Sequence, residues 1–257
     1  MMGTSHAISG ATAWVAVTAT AVPALGLYPL TPSAVALGAV VCAGAALLPD
    51  ADHHNATIAH SVPVAGQVAA GAIGKLTGGH RHGMHSLLAV ALITLATWGM
   101  SFVTWTFAWW HQPVQIGSAV VVAACTTFGV KVLKLARSWF KAWLFGFVLA
   151  AAVAFFAPSE FAWLPVCIGV GYAVHLLGDM LTIEGVPFLW PWNPKPPKSW
   201  RGKPITTFWH ENGYITVPIL GHAGSVREWL LTLPMTAYVL WGVGSSIVIA
   251  ARPVLPG

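Results

Sequence analysis

Charge is what this sequence has least of. Of its 257 residues only 7% are Asp, Glu, Lys or Arg, where a water-soluble domain carries about a quarter, and that scarcity excludes an ordinary soluble domain. Acidic side chains are the rarest, 7 against 12 Lys and Arg, which leaves a formal charge of +5 with histidine neutral. Cysteine is sparse as well. Cys42, Cys125 and Cys167 each lie inside an apolar run, none belongs to a CxxC, and their number is odd, so neither a disulfide framework nor a thiolate zinc site is expected. No Lys or Arg precedes the first apolar run. A cleaved signal peptide needs a positive leading segment, so that run reads as a retained helix. No fixed-period repeat and no low-complexity tract divides the chain, and residues 1–257 read as a single integral-membrane domain.

What is abundant is apolar surface: 56% of the residues are hydrophobic. A bilayer-spanning helix needs roughly 20 mostly apolar residues. Seven segments come close, at about Ile8–Leu27, Ser33–Leu48, Met84–Trp109, Val114–Val130, Trp139–Ala157, Ala162–Leu181 and Glu228–Ala251. The expected fold is all-α, a multi-pass transmembrane helical bundle of about seven spans. The weakly apolar, Ala- and Gly-rich stretch Val62–Leu76 is expected to be a re-entrant or interfacial helix. The Pro-, Trp- and Lys-rich connection over about 182–227 is expected to be an irregular cytoplasmic loop.

The basic residues report orientation. Cytoplasmic loops are enriched in Lys and Arg, and eleven of the twelve fall in alternate connections: Lys75 and Arg81, then Lys131, Lys134, Arg137 and Lys141, then Lys195, Lys198, Arg201, Lys203 and Arg227. Only Arg252 falls on the opposite side. This places the N-terminus in the cytoplasm and the C-terminus outside. Trp109, Trp110 and Trp163 then belt the outer interface, with Trp139 and Trp143 near the inner one. The four basic residues between spans four and five recur at helical spacing. They could touch anionic headgroups, but their place in a cytoplasmic loop already accounts for them.

The same topology gathers the chemistry on one side. His6 precedes span one; Asp50, Asp52, His53 and His54 follow span two; His80, Arg81, His82 and His85 precede span three; His175 and Asp179 occupy the inner half of span six. The last pair is the most informative, because residues four apart share a helix face. A charged, unpaired group near mid-membrane costs about 2.5–3.5 kcal/mol, so both must face the protein or water and find partners. A mutual hydrogen bond would satisfy the pair but leave the other clusters without a reason. Imidazole and carboxylate are ligands for a divalent metal such as Zn, Mn or Fe, and His6, Asp50, His53, His85, His175 and Asp179 are the candidate ligands, enough for one ion or two. For any one of these residues alone, helix capping or interfacial anchoring is the simpler account. Asp52 is the candidate general base or a residue that orients a ligand. His80 and Arg81 are candidates for orienting an anionic substrate, since the guanidinium fork suits phosphate or carboxylate oxygens.

Four blocks suggest a family. Leu47-Leu48-Pro49-Asp50-Ala51-Asp52-His53 resembles LLPDxDH, His80-Arg81 with His85-Ser86-Leu87-Leu88 resembles HRxxTHSLL, Gly171–Thr182 resembles GYxxHxxxDxLT, and Gly185–Pro191 resembles GVPLLWP. In this order they resemble the YdjM-like family of bacterial inner-membrane proteins, described as metal-dependent hydrolases and linked to LexA regulation. His6, Gly10, Gly224-Ser225 and Glu228 fit its outlying positions more loosely. Met84 stands where the family has Thr, and His82 where it has Gly. The resemblance implies a bacterial-type inner membrane and a divalent metal, Zn first.

The expected function is metal-dependent hydrolysis at the cytoplasmic membrane face, on a lipid or phosphoester, with membrane lipids as partners and no role for nucleic acid. The alternative is a metal-ion or proton transporter or channel lined by His175 and Asp179. A third reading is a metal-stabilised structural protein without turnover.

Overall fold

The computed structural model describes residues 1–252, and the fold over that range is helical. Eight α-helices follow in order: α1 Gly3–Thr18, α2 Pro32–Ala45, α3 Ala65–Thr77, α4 Leu87–Met100, α5 Ile116–Val132, α6 Trp139–Phe156, α7 Leu164–Met180 and α8 Val226–Ala250. Short 3-10 turns intervene, among them Leu48–Asp52 and Gly83–His85.

Four helical stretches are long and apolar enough to cross a membrane: Pro32–Asp52, Trp139–Phe156, Pro158–Met180 and Val226–Ala250. The seven expected spans are therefore not all of spanning length. α4 and α5 are apolar but have 14 and 17 residues, and α1 has 16. α1 stops at Thr18, whose hydroxyl folds back to the Trp14 carbonyl at 2.7 Å, and the following apolar residues run on as a non-helical connection through Pro23 and Pro29. α4 stops at Met100, where the chain turns so that Trp105 and Val114 pair across a short antiparallel bridge. Apolar composition continued in both places, while the backbone did not stay helical. The stretch expected as an interfacial or re-entrant helix is α3, which packs on the turns Leu48–Asp52 and Thr57–His60.

α1 and α2 form an antiparallel pair at the centre, with α5, α7 and α8 around them. The contacts depend on small residues, as membrane helices that must approach closely require. A Cβ on Gly171 of α7 would lie 2.7 Å from the Ala45 Cβ and 2.8 Å from the Cys42 carbonyl of α2. Trp163, expected in the outer belt, is instead 3% exposed and packs in the core against Trp14 at 5.3 Å between rings, its indole N–H donating to Glu160 at 2.8 Å. Trp109 does remain exposed.

The connection after α7 is less irregular than expected. Val217 N–H donates to Met180 O at 2.8 Å, Leu220 N–H to Leu181 O at 2.9 Å, and Ile183 N–H to Gly221 O at 3.1 Å. The first two of these bonds take up carbonyls at the end of α7 that no further helical turn could satisfy. Replacing Gly171 by Leu is expected to remove the folded species in detergent, because the backbone of α2 cannot yield. Gly244→Leu, at a position with nothing within 4 Å of a new Cβ, is expected to leave it. Size-exclusion profiles and melting curves of the two variants check this.

Candidate metal centre

Pro49 begins the construction of the site. It has no N–H with which to extend the helical ladder, and the chain tightens from α2 into the 3-10 turn Leu48–Asp52. The Ala46 carbonyl there accepts from Nδ1 of His175 at 2.7 Å. With its proton committed at Nδ1, His175 presents Nε2 as a lone pair, the usual way in which a second partner fixes a ligand tautomer. The turn also carries Asp50 toward α7.

His85 arrives from the other side. The turn Gly83–His85 is held by Tyr172, whose hydroxyl donates to the Met84 carbonyl at 2.7 Å, and by Ser86, which donates to Gly83 O at 2.6 Å and caps α4 by accepting from Ala89 N at 3.2 Å. His85 Nε2 then lies 3.3 Å from His175 Nε2. Around this pair, Asp50 Oδ1 is 3.7 Å from each imidazole nitrogen, and Asp179 Oδ2 is 3.5 Å from His85 and 3.6 Å from His175.

These separations test whether the residues fit a metal. With bonds of about 2.0–2.1 Å, a tetrahedral ion has ligand atoms about 3.3–3.4 Å apart. The nitrogen–nitrogen separation and the four nitrogen–oxygen separations, 3.3–3.7 Å, are close to that figure, and the donor set suits Zn, Mn or Fe. Beside these four atoms, His85 Nδ1, Asp52 Oδ2 and His6 Nδ1 are buried without hydrogen-bond partners. The residues fit the ion. Three overlapping groups place one ligand atom per residue within 4.8 Å: His6, His175 and Asp179; Asp50, His85 and His175; and Asp52, His80 and His85.

The remaining candidates surround this centre. His6 stacks flat on His175, ring centroids 3.7 Å apart, with Nε2 3.2 Å from Asp179 Oδ1. It therefore reaches the oxygen of Asp179 that turns away from the four-atom cluster. The Met1 amino nitrogen and Arg81 Nη2 approach the same oxygen at 2.5 and 3.0 Å. Asp52 accepts from His80 Nδ1 at 2.8 Å through one oxygen, and its other lies 3.7 Å from His85 Nδ1. Both oxygens of Asp52 thus face histidines, one in a hydrogen bond and the other without one. His53 does not join the cluster. The 3-10 turn ends at Asp52, His53 takes an extended backbone at φ −110° and ψ 114°, and its ring packs instead on His54 and His80. Burial and the adjacent His80 and His54 hold its pKa below the ordinary value.

Arg81 adopts φ +59°, a left-handed conformation that is uncommon outside glycine. Tyr214 holds this turn by donating to the Arg81 carbonyl at 2.8 Å, and Glu184 lies 2.9 Å from Nη1. Neither Tyr214 nor Glu184 carries a sequence signal that marks it for the site. The Ala46 carbonyl could have been found from Pro49.

A family model described as YdjM inner membrane protein matches residues 1–134 and 138–247. The chain belongs to this family. No curated protein and no solved structure matches it. The YdjM motif blocks fall on the centre just described: the first supplies Asp50 and Asp52, the second His80, Arg81 and His85, and the third His175 and Asp179.

Proton linkage follows from the packing. Burial lowers the pKa of His85, but Asp50 and Asp52 beside it outweigh burial and raise it to about 9. A raised pKa gives stability that is complete below the unfolded value of about 6.5 and is lost as pH rises through the folded one. Metal-free protein is expected to lose melting temperature between about pH 6.5 and pH 9, whereas Zn-loaded protein, whose His85 needs no proton, holds it. Thermal scans across that range check this. A flat profile for the stripped protein would contradict it.

Proposed function

We propose that this YdjM-family chain is a multi-pass, membrane-bound metal-dependent hydrolase, its N-terminus and its centre on the cytoplasmic face, acting on an ester or phosphoester of a lipid. The observation that carries the reading is the convergence of Asp50 and Asp179 on the paired His85 and His175 nitrogens, at separations of 3.3–3.7 Å. His85, His175, Asp50 and Asp179 would hold a divalent cation there, which would supply Lewis-acid polarisation and activation of a water.

The side chains divide the remaining work. Asp50 is the one member of the four whose side chain is partly open to solvent, at 26% against 0–2% for the others, so substrate approaches past it. Asp52 fits an orienting role better than that of general base, because its side chain is fully buried and one oxygen holds His80 Nδ1 at 2.8 Å. The proton-transfer role passes to His80. Its Nδ1 is held by Asp52, its side chain is 37% exposed, and Nε2 has no hydrogen-bond partner among the described residues. A histidine oriented by a buried carboxylate, with its far nitrogen free, is a suitable general acid or base. Arg81 pairs with one oxygen of Asp179, whose other oxygen faces His85 and His175. Glu184, itself 59% exposed, must swing aside before Arg81 can meet an anionic substrate group.

The distribution of polar groups speaks against transport. Among the described residues, the one buried carboxylate or imidazole outside the centre is Glu228, which accepts from Met2 N and Gly224 N, so no series of titratable side chains continues a path past Trp14, Cys42, Cys167 and Ile168.

The test uses detergent-purified protein, elemental analysis, and a screen of phospholipids and phosphodiesters with and without chelator. His175→Ala is expected to lose both metal and turnover. His80→Ala is expected to keep its metal while turnover falls by about 10²–10⁴, the range for a lost general acid or base. Turnover indifferent to chelator and to His175→Ala would refute the mechanism, and full turnover in His80→Ala would remove the role given to that residue.

A further inference from the structure

The turn between α5 and α6 holds four cations without a counter-charge. Among the described residues, the Lys and Arg side chains paired with carboxylates are those of Arg81 and Arg201; none of Lys131, Lys134, Arg137 and Lys141 has such a partner. Lys131 is fixed in place, donating to the Arg137 carbonyl at 2.7 Å and lying 5.4 Å over the Trp139 ring. This braces the turn and leaves Arg137 and Lys141 exposed. A cavity of about 500 Å³ opens beside them, bounded by Val130, Leu135, Ala136, Arg137, Lys141 and Phe145.

The cavity has two chemistries. Arg137 and Lys141 make a cationic rim, and Phe145 and Val130 make an apolar wall. Phe145 is 52% exposed and continues into Phe140, Leu144 and Val148, which are also exposed, along a helix long and apolar enough to span a membrane. A small soluble anion would use the rim and leave the wall bare, whereas a neutral lipid would use the wall and leave the cations unpaired.

We propose that this cavity binds one anionic phospholipid, with its phosphate between Arg137 and Lys141 and an acyl chain along Val130 and Phe145. The guanidinium offers a planar donor pair for phosphate oxygens, while the ammonium adds a point charge. Membrane topology explains why basic residues collect in such a loop, but it does not require a cavity shaped between them. The site uses none of the metal-centre residues, so it stands or falls separately from the hydrolase reading.

The experiment is native mass spectrometry and melting of the full-length protein in detergent, titrated with phosphatidylglycerol, with phosphatidylcholine, or with sn-glycerol 3-phosphate as the soluble arm. Phosphatidylglycerol is expected to bind and raise the melting temperature, and the other two to do neither. A basic residue at a charged lipid surface contributes roughly fivefold in affinity, so Arg137→Gln with Lys141→Gln is expected to weaken binding roughly 25-fold. Lys198→Gln with Lys203→Gln, in the distant connection after α7, is expected to leave it unchanged. Should the double variant fail to fold, each single variant is expected to show the fivefold loss. The proposal is overturned by equal binding of phosphatidylcholine, by an equal shift with sn-glycerol 3-phosphate (which would make the ligand a soluble anion), or by phosphatidylglycerol binding that survives loss of both cations.

Discussion

Two imidazole nitrogens lie 3.3 Å apart at the end of an apolar bundle, each 3.5–3.7 Å from one oxygen of Asp50 and one of Asp179, and the structure around them is arranged to tolerate that. Burying an ionised carboxylate without compensation is expensive. Here Asp179 receives Arg81 and His6 on one oxygen and faces both histidines with the other. A divalent ion at the meeting point would balance Asp50 and Asp179 in one step. A proton on His85 balances only part of that charge, and Asp50 and Asp52 beside it outweigh burial and raise its pKa to about 9.

The bundle supplies the geometry through close approach. α2 and α7 come together over Gly171, Cys42 and Ala45, which brings the Ala46 carbonyl within reach of His175. Pro49 then turns the chain so that Asp50 follows at the same level. On the opposite side, Tyr172 and Ser86 fix the short turn that carries His85. Each ligand is thus placed by a backbone feature of a neighbouring element. A packing error in any of these elements would separate nitrogens and oxygens that must stay within a few tenths of an ångström of their positions.

Much of this was legible in the sequence, because apolar runs and intramembrane polar residues carry strong signals. The helices α2, α5, α6, α7 and α8 lie close to their expected segments, and the convergence of His6, Asp50, His85, His175 and Asp179 followed from placing polar residues by depth. The misses share a cause, which is that composition does not report backbone geometry. Apolar residues after Thr18 and Met100 read as helix but are not. His53, three residues from Asp50, shares a face with it only if the chain stays helical, and the chain leaves the helix at Asp52. Trp163 has the composition of an interfacial anchor, yet packing against Trp14 decides its place. Tyr214 and Glu184 reach the centre only through the folding of the connection after α7, which no periodicity marks.

The most direct measurement of the central claim is X-ray absorption spectroscopy at the metal edge of protein loaded with one equivalent of Zn. The account predicts a first shell of nitrogen and oxygen only, four donors at about 2.0–2.1 Å, with the multiple-scattering signature of two imidazoles. A shell containing sulfur, a shell without imidazole, or an ion surrounded by water alone would contradict it.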